Sequence, residues 1–299
     1  MQQIHVRSVS NVKPVSLSSH YSDAKTQSGA HIVDVLIEER AINLMQRPTT
    51  WRLLRKLGDG ILGYNKAIRM ADKIAPMLGR EVFDYMSDLL KLKLTVSGLE
   101  HVPKTGATIL TPNHPAGIAD GIAVYDALKS IRDDIIFVAN RDAIRVSPGL
   151  SETIIPVEWR DELRTATRNR ETIGALIRAI RNGRLIVIFP SGRLARPTIK
   201  GLQERPWQIT ALNLAQKYQI NVLPMHITGR NTFLYYLSWY INSELKDIMI
   251  FRELLHKTGQ RYKLNIGEPF QVVGDIAEQT EKLRTWVTAE LKEGKTKFP

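Results

Sequence analysis

The sequence predicts an α/β fold with a mostly parallel central sheet flanked by helices, preceded by an N-terminal helical extension. Beyond about residue 94, short apolar runs alternate with longer stretches at helical spacing, which is the order typical of α/β proteins. Several of these runs are apolar throughout, as expected of strands covered on both faces. Unusual polar clusters directly follow two of the runs, at the position where ligands of parallel sheets bind. The fold therefore also predicts where a site would lie.

Three segments are expected along the chain. Residues 1–30 show no sustained periodicity and are expected to form a flexible arm. Residues 31–94 are expected to form the helical extension, and residues 95–299 the α/β domain.

The helical extension is amphipathic and basic. Trp51, Leu54 and Leu57 recur at the spacing of one helix face, and cations are interleaved with them. A basic amphipathic helix can lie on an anionic membrane. It can equally pack its apolar face on the main domain and leave a solvated basic face, which is the commoner arrangement. The sequence leaves both interpretations open.

The α/β region has short runs with strand character, separated by stretches with helical character. Strands are expected at 93–98, 107–113, 134–140, 153–158, 185–190, 221–228 and 262–269. Helices are expected near 119–131, 161–182, 203–218, 243–257 and 275–292.

Composition limits the function classes. The 299 residues carry a net charge of +12, which suits an anionic membrane surface, a phosphorylated substrate or a nucleic acid. No helix-turn-helix, RNA-recognition or zinc signature accompanies the charge, so we expect no nucleic-acid partner. There is no cysteine, which excludes disulfides, thiolate metal sites and cysteine nucleophiles.

No apolar run reaches the ~20 residues needed to span a bilayer. The run FLYYLSWYI at 233–241 is too short, although it could grip acyl chains, touch a membrane or belong to the core. The first 30 residues lack the apolar segment of a secretory signal. We therefore expect a cytoplasmic protein, associated peripherally with the inner face of the cytoplasmic membrane.

The stretch TPNHPAGIADG, at 111–121, places a proton acceptor six positions before a carboxylate. Imidazole accepts protons near neutral pH, and a carboxylate on its second nitrogen fixes the tautomer. On a regular helix, Asp120 would point away from His114, so the helix cannot begin at His114. Pro115 and Gly117 allow a loop that bends Asp120 back. The alternative is an ordinary turn, with Asp120 capping the helix that follows.

The second polar cluster, IFPSGRLARPTIKG at 188–201, combines a strand end, a tight turn and three cations. Turn N–H groups and arginine side chains suit a phosphate or a carboxylate. An exposed basic loop without a ligand is the alternative. The sequence has no G-x-S-x-G elbow, so a serine hydrolase is not expected.

Together the clusters resemble those of the glycerolipid and lysophospholipid acyltransferase superfamily, which includes 1-acyl-glycerol-3-phosphate acyltransferases. Within it, the chain is most similar to the bacterial hemolysin-like and lyso-ornithine-lipid acyltransferase-like branch. The first block of the family is a histidine and an aspartate, usually with four residues between them and commonly preceded by asparagine. Asn113, His114 and Asp120 match it, with five residues intervening. The apolar strand around Pro224 is similar to the fourth block.

The third block of the family is commonly Phe-Pro-Glu-Gly-Thr-Arg, and here it reads Phe189, Pro190, Ser191, Gly192, Arg193 and Leu194. The glutamate is replaced by serine, and the arginine comes one place early unless Arg196 serves. The second block is represented only by Arg160. The missing glutamate puts the acceptor in question, because the family uses this block for the glycerol-phosphate end.

The resemblance implies acyl transfer from acyl-ACP or acyl-CoA, as co-substrate and without another cofactor or a metal, to the hydroxyl of a lysolipid. The acceptor would be lysophosphatidic acid or a lyso-amino-acid lipid. His114 would be the general base and Asp120 would orient it. N–H groups near Gly192 are candidates for stabilising the oxyanion. Substrate contacts would come from Asn113, Gly117, Arg160, Phe189, Pro190, Ser191, Gly192, Arg193 and Arg196.

The main alternative is a non-catalytic lipid- or membrane-binding protein on the same fold, which the altered third block would allow. A metal site built from His114, Asp120 and His226 is conceivable, but no metalloenzyme spacing supports it. We interpret His226 as a strand residue near the site.

Overall fold

The structure is a computed structural model that describes residues 30–58, 63–158, 160, 163–199 and 201–299. The expected flexible arm lies outside these residues, except for Ala30. Helices in the described ranges are α1 (Ile32–Glu38), α2 (Ile42–Met45), α3 (Pro48–Leu57), α4 (Tyr64–Ile74), α5 (Gly79–Leu90), α6 (Ile118–Leu128), α7 (Asp142–Val146), α8 (Ala166–Arg181), α9 (Thr210–Tyr218), α10 (Phe233–Ile241), α11 (Ser243–Ile248), α12 (Ile250–Leu255) and α13 (Ile276–Thr288). Strands are β1 (Lys93–Ser97), β2 (Thr108–Pro112), β3 (Ile136–Asn140), β4 (Ile154–Val157), β5 (Leu185–Val187), β6 (Arg196–Thr198), β7 (Gly201–Gln203), β8 (Asn221–Thr228) and β9 (Arg261–Ile266).

A seven-stranded sheet forms the centre of the molecule, in the order β1-β9-β8-β2-β5-β3-β4. Every neighbouring pair is parallel except β8 and β9, which are antiparallel. Each of the seven predicted strands is present, so the predicted fold class is confirmed. The inner strands β2 and β5 are buried at every position, because helices cover both faces of the sheet.

Alternate residues of the inner strands enter two different apolar layers. In β2, Ile109 joins the layer with α8, α9 and α13, whereas Leu110 joins the layer with α4, α5 and α6. This two-residue alternation is the ordinary geometry of a strand. The sheet is therefore fixed from both sides, and its carboxyl edge offers a rigid support for a site.

The helices before the sheet pack on the rest of the chain. Met70, Ile74 and Phe83 belong to the same core layer as α6. In α3, Trp51 and Leu54 pack against Ile248, while the arginines of that helix stay exposed. The predicted N-terminal helices are confirmed, and α3 has the packed apolar face of the commoner arrangement. The domain boundaries stay a prediction.

Three details differ from the sequence prediction. The helix expected at 203–218 begins only at Thr210, and Gln203 instead ends the β6–β7 hairpin, in which Arg196–Thr198 pairs with Gly201–Gln203. The helix expected at 243–257 is divided into α11 and α12 at Met249. The run at 233–241 is itself a helix, α10. Pro197 and Pro206 interrupt the helical pattern around the hairpin, since proline cannot continue a regular helix.

Candidate active site

The two polar clusters lie side by side at the carboxyl edge of the sheet. β2 and β5 are adjacent and parallel, with Leu110 opposite Val187, so the segments that follow them emerge together. Beyond the strands, the backbone N–H of Ala195 donates to the carbonyl of His114 at 2.8 Å. The expected meeting of the clusters is therefore what the structure shows.

The imidazole of His114 is held by Asp120. Its Nδ1 lies 2.9 Å from Asp120 Oδ2, and the Asp120 side chain is 0% exposed. Because a carboxylate accepts, Nδ1 carries the hydrogen, and Nε2 is left to accept a proton. The His114 side chain retains 20% of its exposure, so a substrate can reach it.

Asp120 also caps the helix, so both interpretations of this residue hold at once. Its Oδ2 accepts from the backbone N–H groups of Ala116 at 2.8 Å and Gly117 at 2.9 Å. Helix α6 begins only at Ile118, and Gly117 has a φ of 98°, a conformation that side chains disfavour. The break at Pro115-Ala116-Gly117 therefore turns Asp120 back toward His114, as the spacing predicted.

Phe189 and Asn113 fix the surroundings of the imidazole. The Phe189 ring lies 4.3 Å from the His114 ring, centroid to centroid, at an angle of 33°. Asn113 was expected to contact substrate, but both ends of its amide bond the backbone of Ile227, at 3.0 and 2.6 Å. Asn113 thus ties β2 to β8 directly beside His114.

A buried carboxylate that the sequence did not single out, Glu204, supports the same loop. Its Oε2 accepts from the backbone N–H of His114 at 3.1 Å, and its Oε1 from Trp207 Nε1 at 3.1 Å. Burial raises the pKa of Glu204, against hydrogen bonds from His114 and Ser191 that lower it. Glu204 therefore stands next to Ser191, the position where the family commonly has glutamate. In the sequence, the local feature that points to this contact is Trp207, which follows Glu204 by three residues.

The turn after β5 is organised by its own hydrogen bonds. Ser191 Oγ donates to the carbonyl of Arg193 at 2.8 Å, and the Pro190 carbonyl accepts from the N–H of Gln208 at 2.9 Å. The Gly192 N–H donates to the Phe189 carbonyl at 2.9 Å. The hydrogen of this one N–H is therefore used within the turn, and the expectation that N–H groups near Gly192 stabilise an oxyanion stays a prediction.

Two exposed arginines, Arg193 and Arg196, flank this turn, and a third cation stands close to them. The pKa of Arg205 is lowered first by burial, and then by the positive charges of Arg196 and Arg193. Arg205 Nε is buried and has no hydrogen-bond partner among the described residues. These three guanidinium groups form a positive region beside His114. The sequence had predicted Arg193 and Arg196 as part of it, but not Arg205.

Arg160 lies in a carboxylate cluster after the edge strand β4, separated from β2 by β3 and β5 in the sheet. Its Nη1 is 2.8 Å from Glu39 Oε2, and its Nε is 3.3 Å from Glu158 Oε1. Burial acts to raise the pKa of Glu39, but Arg145 and Arg160 together lower it. The contacts of Arg160 therefore tie α1 to the end of β4, and its expected role with substrate stays a prediction.

His226 lies on β8 and faces α13. It is buried, and burial, followed by the charge of Lys292, lowers its pKa to about 4. Its ring therefore stays neutral at physiological pH. In the part of the chain that the structure describes, no group of three His, Cys, Asp or Glu side chains is arranged to hold a metal ion.

Comparison with known proteins supplies the family. Residues 93–228, which include both polar clusters, match the family model described as Acyltransferase. The matched segment therefore carries the sequence of an acyltransferase domain. The prediction of an O-acyltransferase of this superfamily is thereby confirmed, whereas its branch stays a prediction.

Two curated relatives are named lyso-glycine lipid O-acyltransferase. The protein from Phocaeicola vulgatus is 23% identical over 199 residues, covering 64% of this chain and 69% of the relative. The protein from Bacteroides thetaiotaomicron is 23% identical over 208 residues, covering 67% and 74%. A solved structure, the 1-acyl-sn-glycerophosphate (LPA) acyltransferase PlsC from Thermotoga maritima, matches with a TM-score of 0.47 and 19% identity, covering 87% of this chain and 99% of that one.

Proposed function

We propose that this acyltransferase moves a fatty acyl group from a thioester to a hydroxyl of a lysolipid, with His114 as general base. The observation that carries the proposal is the imidazole of His114, anchored through Nδ1 to a fully buried carboxylate while its ring remains accessible at the sheet edge. The names of the two curated relatives support a lysolipid as acceptor.

Direct transfer accounts for every proton. His114 Nε2 takes the proton of the acceptor hydroxyl as that oxygen attacks the thioester carbonyl. The tetrahedral intermediate then expels the thiolate, which takes the proton from the imidazolium. Asp120 keeps Nδ1–H in place and stabilises the imidazolium between the two steps. No acyl-enzyme forms, and no metal or further cofactor is needed.

The acceptor we favour is a lyso-amino-acid lipid, with lysophosphatidic acid as the second candidate. Arg193 and Arg196 are exposed beside the site and suit the anionic headgroup of either lipid. Ser191, which has no charge, stands where the family commonly has glutamate, so a headgroup other than glycerol phosphate is favoured. The relatives named for a lyso-glycine lipid agree with this preference.

The donor we propose is acyl-ACP or acyl-CoA. Both are anionic partners, and the net charge of +12 would draw either of them to the protein. Within the described residues, no helix combines the length and the apolar character needed to cross a bilayer. We place the protein in the cytoplasm, in peripheral contact with the anionic inner face of the membrane.

The test is to supply the purified chain with labelled acyl-ACP or acyl-CoA and a panel of lysolipids, followed by mass spectrometry. We expect one ester to form for each thiol released, with the fastest turnover on a lyso-amino-acid lipid. Ester formation only with lysophosphatidic acid would move the assignment to the second candidate. Lipid binding without any thioester consumption would contradict catalysis and favour the non-catalytic alternative.

A further inference from the structure

Helix α10 exposes an apolar stripe along its whole length. Its exposed members share one side of the helix, within about 120° of arc at 3.6 residues per turn. They are Phe233, Leu234, Leu237, Tyr240 and Ile241. Phe233 is 80% exposed and Ile241 65%, whereas Tyr235 and Ser238, on the other side, are buried. The stripe is therefore not the side by which α10 packs on the protein.

The β6–β7 hairpin extends this surface. Tyr240 Oη donates to the Pro197 carbonyl at 3.1 Å, which fixes the end of α10 beside β6. Ile199, at the turn of the hairpin, is fully exposed, and Leu202 is half-exposed. We call the α10 stripe, together with Ile199 and Leu202, the α10 surface.

One exposed cation, Arg196, borders the α10 surface, because it directly precedes Pro197, whose carbonyl bonds Tyr240. Two more cations, Arg205 and Lys246, lie 5.3 and 5.0 Å from the centre of the Trp239 ring, on the side of α10 opposite the stripe. Arg193 and Arg196 are near enough to lower the pKa of Arg205, after the larger effect of burial. Apolar side chains with an arginine at their border and further cations behind them match the layers of an anionic bilayer, where headgroups lie above acyl chains.

We infer that the α10 surface docks the protein on an anionic lipid bilayer, with the cleft of His114 turned toward the lipid. This inference rests on the proposed function, because a lysolipid acceptor resides in such a bilayer. The site is close, since β6 follows the segment that bonds His114 through Ala195. An acidic carrier protein would also be attracted by the cations. The protruding Ile199 and Phe233 favour lipid, which accommodates projecting side chains without a matching pocket.

The test uses vesicles of phosphatidylcholine, with and without phosphatidylglycerol, and measures co-sedimentation. The wild-type chain should bind the anionic vesicles, and less at high salt. The double variant Phe233→Ser/Ile241→Ser should lose at least about tenfold in partitioning. The matched control is Val273→Ser, which changes an apolar residue that is 74% exposed. Val273 follows the segment that pairs with the start of β8, at the edge of the sheet opposite the site. It should bind like the wild type.

Three results would overturn the inference. One is an absence of wild-type binding to anionic vesicles. The second is equal binding by the double variant and the Val273→Ser control. The third is a double variant that keeps vesicle binding but loses binding to an acidic acyl-carrier protein. His114→Ala should bind vesicles like the wild type, so failure of the catalytic proposal is distinguishable from failure of this one.

A separate observation concerns Glu204, whose carboxylate contacts the backbone of the catalytic loop. Two N–H donors, from His114 and Trp207, point at its two oxygens. Glu204 is buried, at 8% exposure. A glutamine there offers only one acceptor and would turn an N–H₂ group toward one of the donors. The site therefore requires a carboxylate, and an uncharged side chain of the same shape does not suffice.

We propose that Glu204 is a positioning residue for the acyl transfer, which holds the backbone of His114 and supplies a negative charge that stabilises the imidazolium. It complements Asp120, which holds the ring itself through Nδ1. The proposal rests on His114 being the base. Among the described residues, Arg284 of α13 also interacts with Glu204, since the pKa of Arg284 is raised first by Glu281 and in smaller part by Glu204.

The test is the pH dependence of kcat for Glu204→Gln. Removal of the carboxylate makes protonation of the nearby imidazole less favourable, so the acid limb of the profile should move to lower pH. We also expect kcat to fall about tenfold. Trp207→Phe is the control, since it removes one hydrogen bond to Glu204 but leaves the charge, and its acid limb should stay in place. Glu204→Asp should restore the limb toward the wild-type position.

An unmoved acid limb in Glu204→Gln would overturn the proposal, and so would equal movement in Trp207→Phe. If Glu204→Gln does not fold, Glu204→Asp decides the matter by its own profile. Loss of folding in both variants would make the role structural and end the proposal. If His114→Ala remains active, the proposed function fails instead.

Discussion

His114→Ala is expected to lower kcat for acyl transfer by at least about 10³-fold, because the variant has no base to take the hydroxyl proton. The fold should be preserved. The His114 side chain is partly exposed, and Asp120 Oδ2 keeps the N–H groups of Ala116 and Gly117 as donors. Thioester consumption and ester formation measure the first effect, and a thermal melt followed by circular dichroism measures the second.

The control is His256→Ala, which removes an exposed imidazole whose Nδ1 bonds the carbonyl of Arg252 in its own helix. It should turn over like the wild type. Wild-type turnover in the well-folded His114→Ala variant would show that another group takes the proton.

Asp120→Asn is expected to lower kcat about 100-fold while leaving stability almost unchanged. The asparagine oxygen can occupy the place of Oδ2 and accept from His114, Ala116 and Gly117 as before. Its N–H₂ group then lies where Oδ1 is buried, without a hydrogen-bond partner among the described residues. The geometry and the tautomer persist, and only the negative charge that stabilises the imidazolium is lost.

Comparison of Asp120→Ala with Asp120→Asn distinguishes the effect of the negative charge from the effect of the helix cap. It removes both, so it should be less stable than Asp120→Asn by about 1–2 kcal/mol in urea denaturation. It should also be less active than Asp120→Asn, because the imidazole is no longer oriented. If Asp120→Asn turned over at the wild-type rate, the charge would have no part in catalysis. If the two variants unfolded at the same urea concentration, the cap would have no part in stability.

The relation of His114 to Asp120 could be predicted because it is local. Five residues lie between the two, and a proline and a glycine among them restrict the backbone to a few paths. The meeting of both polar clusters could be predicted for a similar reason. Parallel strands place their carboxyl ends at one edge, so a residue's position after its strand fixes its side of the molecule.

Glu204 and Arg160 could not be placed in this way. Glu204 bonds the backbone of a residue 90 positions earlier, and Arg160 bonds Glu39, 121 positions earlier. No local pattern encodes such partners. The resemblance to the family suggested Arg160 as a substrate contact, whereas the structure surrounds it with the carboxylates of Glu39 and Glu158.

The apolar stripe of α10 illustrates the same limit. Its sequence is apolar at nearly every position, so periodicity could not tell the packed side from the exposed one. Burial depends on which neighbours a helix meets, and one neighbour of α10 is the β6–β7 hairpin, which the sequence did not predict.

By itself, the sequence determined the strand order along the chain, the edge at which a ligand would bind, and the pairing of His114 with Asp120. These depend on backbone rules and short spacings. Only the tertiary structure decided which distant carboxylate supports the loop, which arginines gather beside it, and which side of α10 meets solvent. These depend on contacts between segments that lie far apart in the chain, and the free energy of such contacts cannot be inferred from any one segment alone.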